Sequence, residues 1–145
     1  MAQTILVKSD LSVEMISAGR QLLHHLDLIG IVFDAAFWLF DDDIAEWRLV
    51  MASATVRSNG PNALYHKVNQ ALSQLNLMNS LSIDMFSIVD ERTPVVKLLV
   101  GALGTTASVD GTRLDNATID GVRLSGCLLY RLTINQTVSV GEQRA

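Results

Sequence analysis

Four carboxylates fall within six positions, at Asp41, Asp42, Asp43 and Glu46, and Arg48 follows two residues later. Oxygen donors at that density can hold Mg²⁺ or Ca²⁺, and a carboxylate-held metal beside a cation is the equipment of phosphodiester cleavage. Asp41, Asp43 and Glu46 are the set a metal-dependent hydrolase would use. The cluster lacks the glycine and regular alternation of an EF-hand loop. An Asp on one strand with Glu-x-Lys on the next is a nuclease pattern, but here Arg48 replaces the lysine and the proline-aspartate element is missing. A solvated hairpin turn that keeps an apolar sheet in solution accounts for the same residues. The metal reading stands as the alternative, and no cofactor is expected.

The chain has three histidines, His24, His25 and His66. Neighbours on a helix point about 100° apart, so His24 and His25 cannot both face one ion, and no H-E-x-x-H spacing supports zinc. They suit the end of a helix, where the dipole favours a cation. Cys127 is the only cysteine, with no base close in sequence, and reads as an inert thiol in a reducing compartment, the cytoplasm. Ser125-Gly126 and Gly101-Ala102-Leu103-Gly104 lack the spacing of a nucleophile elbow or a phosphate loop.

These residues need elements to hold them. Leu11, Met15, Ala18, Leu22 and Leu26 recur on one helical face after the caps Ser9 and Asp10, predicting a helix over about 11 to 27. Ile29 to Phe40 and Trp47 to Val56, rich in β-branched and aromatic residues, predict a β-hairpin turning at the aspartates. If Phe40 pairs with Trp47, then Trp38, Phe40, Trp47 and Leu49 share one face, and Phe37, Leu39, Arg48 and Val50 share the other. A sheet apolar on both sides needs a cover on each, from its own helices or from a second copy. Trp38, Phe40, Trp47 and Leu49 are therefore candidates for either core or interface anchors. Ser58-Asn59-Gly60-Pro61 is a turn opening a second helix, with Leu64, Val68, Ala71, Leu72 and Leu75 as its stripe. Leu81 to Val89 alternates as a strand. Thr93-Pro94 caps a third helix that Gly104 stops.

The texture then changes to blocks of five: ASVDG, TRLDN, ATIDG, VRLSG, CLLYR, LTINQ from Ala107. The central residue is a branched aliphatic each time, at Val109, Leu114, Ile119, Leu124, Leu129 and Ile134. Residues 107 to 136 resemble the pentapeptide-repeat family on this pattern, although the last two blocks depart at the fifth position. The resemblance implies a short right-handed β-helix with those aliphatics turned inward, capping the rest of the chain or stacking on another copy. The alternative is two hairpins turning at Asp110-Gly111 and Asp120-Gly121. Longer members of that family imitate a DNA duplex and bind DNA-handling enzymes. Here Arg113, Arg123 and Arg131 dilute the ladder of Asp110, Asp115 and Asp120, and six blocks make a short imitation. The stretch AAFWLFDDDIAEWRLVMAS is similar to an uncharacterised bacterial family in which two aromatic strands flank an acidic turn, and no activity carries over from it.

The chain of 145 residues, about half of them apolar, fits one α+β domain. The expected parts are a small mixed sheet with three helices over 1–104, the repeat-like tail over 107–136, and a flexible end over 137–145. Net charge is −4 and the eleven Lys and Arg are scattered, which argues against generic binding of a nucleic-acid backbone. The N-terminus meets a charge before any useful apolar run, and Leu28 to Phe40 is too short to span a bilayer. A mean hydropathy of +0.30 is high for a lone small domain and points to an interface between copies. The expectation is a self-associating, non-catalytic interaction module, a homo-oligomer of the simplest kind, a dimer.

Overall fold

The computed structural model describes residues 10–104 and 109–133. Helix α1 (Val13–Leu28) starts where the Ser12 side chain accepts the Met15 N–H at 3.0 Å, two residues after the expected Asp10 cap. It ends in a Schellman motif. Gly30, at φ 86°, lets the Ile31 N–H reach Leu26 O and its own N–H reach Asp27 O. Ile29 to Ile31, expected as strand, are consumed by that stop, and β1 (Ala35–Asp41) begins later.

Strand β2 (Glu46–Ala52) returns antiparallel and pairs Trp47 with Phe40, as the hairpin reading requires. It ends at Ala52 rather than Val56, because Ser53 Oγ accepts the Thr55 N–H and turns the chain into the short α2 (Thr55–Asn59). Helix α3 (Asn62–Gln74) follows. A second serine repeats the device: Ser82 accepts the Asp84 N–H and folds Ile83–Met85 into a 3₁₀ turn. Strand β3 is left with Phe86–Val89 alone. Helix α4 (Pro94–Leu103) carries proline in its first turn and stops at Gly104, φ 76°. Strands β4 (Arg113–Ile119) and β5 (Val122–Leu132) complete a mixed five-stranded sheet in the order β3-β2-β1-β5-β4, in which only β2 and β3 run parallel.

Helices α1 and α3 cover one face of this sheet. Leu22 and Leu26 of α1 and Val68 and Leu72 of α3 share a core cluster with Trp38, Leu49, Met51, Phe86 and Leu128. Among the described residues, helix α4 alone covers the other face, where Val96, Leu99 and Val100 join Phe37, Val50, Ala52, Leu129 and Leu132.

The repeat expectation is corrected. Residues 113–132 are two antiparallel strands of the main sheet, neither coils of a β-helix nor two hairpins in a separate tail. The chain reverses once between them, at Asp120-Gly121, where φ is positive at both residues (49° and 80°). The five-residue rhythm has a different cause. In a regular strand, residues five apart point to opposite faces, yet Leu114, Ile119, Leu124 and Leu129 all meet the α4-side cluster. Asn116 stands at φ 53°, and the ladder skips from Asp115↔Gly126 to Ala117↔Leu124 without a pair between them. At that level both strands turn over together, so an odd spacing keeps one face. Asparagine tolerates the left-handed conformation this needs. Val109 joins the same cluster, whereas Ile134, residue 107 and the expected flexible end lie outside the described residues.

Candidate functional site

Side chains with chemistry gather in two places, one on each face of the sheet. On the α1 side, the pairing of β5 with β1 shifts between Ala36↔Arg131 and Phe37↔Leu129, which leaves Tyr130 as an extra residue. The bulge aims Tyr130 and Arg131 toward α1 together. The Tyr130 hydroxyl accepts the Trp38 Nε1–H at 2.8 Å and donates to Ile16 O at 2.6 Å. Burial pushes its pKa up to about 12, against the opposing hydrogen bond from Trp38 and the nearby Arg20. A β-carbon at Gly19 would lie 2.3 Å from that hydroxyl oxygen, so glycine is what lets α1 sit over the tyrosine.

The Arg20 guanidinium lies 5.3 Å from the centre of the Tyr130 ring and pairs with Asp110 at 2.8 Å. Arg131 donates twice to Asp27, at 3.0 and 2.6 Å, and once to Phe33 O at 3.0 Å. These groups and His24 line a small cavity of about 190 Å³. Each carboxylate there already holds an arginine, so the cluster ties β5 to α1 and leaves little charge for a ligand.

On the α4 side the cover is incomplete. A groove of about 490 Å³ opens between the start of α4 and the β1–β2 turn, floored by Leu39, Val50, Val89, Val95 and Leu124. Arg48 and Arg123, the three aspartates of the turn, Ser87 and Thr93 edge it. The half-buried Arg48 gives its Nε–H to Ser87 Oγ and an Nη2–H to Phe86 O, both at 2.8 Å. Arg123 Nη2 donates to Asn116 Oδ1 at 2.8 Å. Next to this groove, sharing Val95, an apolar shelf of about 520 Å³ is lined by Pro94, Val95, Lys97, Leu98 and Val122.

Within the acidic cluster, Asp41 closes β1 half-buried, while Asp43 and Glu46 are exposed. The Asp41 carboxylate accepts the Asp43 N–H at 2.9 Å, and Asp42 accepts the Ser125 hydroxyl at 2.8 Å. Two of the carboxylates thus fasten the turn itself. Among the described residues, no group of three His, Cys, Asp or Glu stands close enough to hold a metal, so the hydrolase set Asp41, Asp43 and Glu46 is not assembled. His66 on α3 and His24 are exposed, and His25 Nε2 is shut away without a partner. Cys127 is buried, and burial lifts its thiol to about 12, which leaves no thiolate near neutrality to act as a nucleophile.

The candidates for either core or interface anchors lie in the core. Trp38, Phe40, Trp47 and Leu49 lie in the cluster beneath α1 and α3, with Phe40 and Trp47 edge to face at 5.4 Å, and present no open face to a second copy. Of the repeat positions, Leu124 and Leu129 are buried while Leu114 and Ile119 are half-buried at the sheet margin. The groups that the spacing did not announce are Tyr130, Arg131 and Arg123. An arginine after a tyrosine in an apolar strand, and a glycine inside a helix, were the available signals for the first two. No known protein family, curated protein or solved structure matches the chain.

Proposed function

We propose that the chain is a non-catalytic interaction module that pairs with a second copy of itself through the α4 side of its sheet. The observation that carries this reading is the unequal cover: among the described residues, two helices pack on one face and a single helix on the other. Along that thinner side Leu98, Leu114 and Ile119 are only half-buried, and Val122 is 48% exposed. An apolar shelf beside a helix is a surface that association removes from water. Strand β4 is an outer strand of the sheet, which gives a second copy a ladder to meet. No described helix is long and apolar enough to cross a membrane, and the single buried thiol suits a reducing compartment such as the cytoplasm.

Multi-angle light scattering tests the reading directly. The wild type is expected at twice the chain mass, and a Leu98→Glu, Val122→Glu double variant at the chain mass with an unchanged circular dichroism spectrum. A wild type that stays monomeric at high concentration would overturn it.

A further inference from the structure

We propose that the groove at the start of α4 binds a small zwitterion with an apolar tail, in chemical class an apolar α-amino acid. This goes beyond self-association, which concerns the neighbouring shelf. The inference begins with a pair of charges that face each other without meeting. Arg48 sits opposite Leu39 in the hairpin ladder, and Asp41 stands two residues further along the same strand and on the same face. On such a diagonal, neighbouring residues are about 7–8 Å apart and their β-carbons somewhat closer, within reach of an ion pair between long side chains. Both residues are half-buried in an apolar groove, where unlike charges attract more strongly than in water.

Each is nevertheless held elsewhere. Ser87 Oγ and Phe86 O anchor Arg48 through Nε and Nη2, and both acceptors are neutral. The Asp43 N–H anchors Asp41 through Oδ1. Among the described residues neither has an ion-pair partner, so Nη1 of the arginine and Oδ2 of the aspartate remain for a guest. A guest that satisfies both carries a carboxylate for Arg48 and an ammonium for Asp41. Its tail has an apolar floor waiting in Val50, Val89, Val95 and Leu124. The volume of about 490 Å³ lies within the range of small-molecule sites, about 300–1,000 Å³. Arg123, Asp42 and Asp43 also edge the groove, so it carries both signs of charge and neither a pure anion nor a pure cation matches it.

The test is a nitrogen–proton NMR titration of the full chain with leucine, 4-methylpentanoate, 3-methylbutylamine and glycine. These probes keep, in turn, everything, all but the ammonium, all but the carboxylate, and all but the tail. Leucine is expected to shift the amides of Leu39, Arg48, Val50, Val89 and Val95, and each truncated probe to bind at least about tenfold more weakly, the scale of one lost charged hydrogen bond for the two charge deletions and of the lost apolar burial for glycine. Asp41→Asn should bring leucine down to the level of 4-methylpentanoate, and Arg48→Gln to that of 3-methylbutylamine. Because Arg48→Gln also removes bonds to β3, Val89→Trp provides a second check: it fills the groove, spares both charges, and should abolish the leucine shifts. Equal shifts from all four probes, no shift with leucine, or leucine shifts that survive Val89→Trp in a folded protein would overturn the proposal.

Discussion

The two faces of the sheet carry similar apolar side chains and meet different fates. Beneath α1 and α3 lie the large aromatics Trp38, Trp47, Phe40 and Phe86, closed over and cross-linked by the Trp38–Tyr130–Ile16 hydrogen-bond chain. Beneath α4 the floor is built from Ala35, Ala52, Val50, Cys127 and Leu129, with Phe37 the one large aromatic in that cluster, and its margin stays open. Bulk and polar pinning make the first face the part that holds the fold. Small side chains under a single helix make the second face the part that has room to bind.

The largest effect should come from Trp38→Ala. It removes a fully buried indole and one end of the hydrogen-bond chain, with an expected loss of about 3–5 kcal/mol in urea denaturation. Phe37→Ala, equally buried under α4, should lose less, because a site capped by one helix collapses more easily around the void. Equal losses would break the contrast between the faces. Next comes Tyr130→Phe, which leaves the Trp38 Nε1–H unpaired, removes the second hydrogen bond to the helical Ile16 carbonyl, and should cost about 1–3 kcal/mol.

The same tyrosine gives a pH test. A group with its folded pKa raised from 10.0 to about 12 stabilises the folded state fully below pH 10 and loses that contribution as pH climbs toward 12. Alkaline denaturation of the wild type should therefore steepen in this window. Tyr130→Phe should flatten the curve there, leaving the part due to Cys127, whose thiol is also raised, from 9.0 to about 12. A curve of the same shape in both proteins would detach the tyrosine from the stability of the α1 face.

Leu98→Glu should have the smallest effect on stability, within about 0.5 kcal/mol, since the site is half-buried at an open margin. Its consequence belongs to association instead. Loss of the dimer without loss of melting temperature would sharpen the division of labour between the faces, whereas unfolding would show that the shelf is core.

Much of the framework was readable along the chain. The hairpin with its acidic turn and Phe40–Trp47 pair, the helix opened by Thr93-Pro94 and closed at Gly104, and the stripe of α3 all follow from local periodicity and turn chemistry. Boundaries slipped where a serine side chain captured a nearby amide, as at Ser53 and Ser82, because such bonds compete with the strand over only two residues. The open groove was not legible: Asp41, Arg48, Val95 and Arg123 come from four separate elements, and no spacing connects them.

Local sequence determined which segments are helix or strand and which side chains of the hairpin share a face, because those depend on periods of 3.6 and 2 within one segment. Tertiary structure decided the rest. It alone made the five-residue rhythm a pair of sheet strands that turn over at Asn116, displaced Tyr130 into a bulge over Gly19, and, among the described residues, gave one face two helices and the other only one. Strand partners and covering helices are chosen by contacts between residues far apart in the chain, such as the 92 positions separating Trp38 from Tyr130.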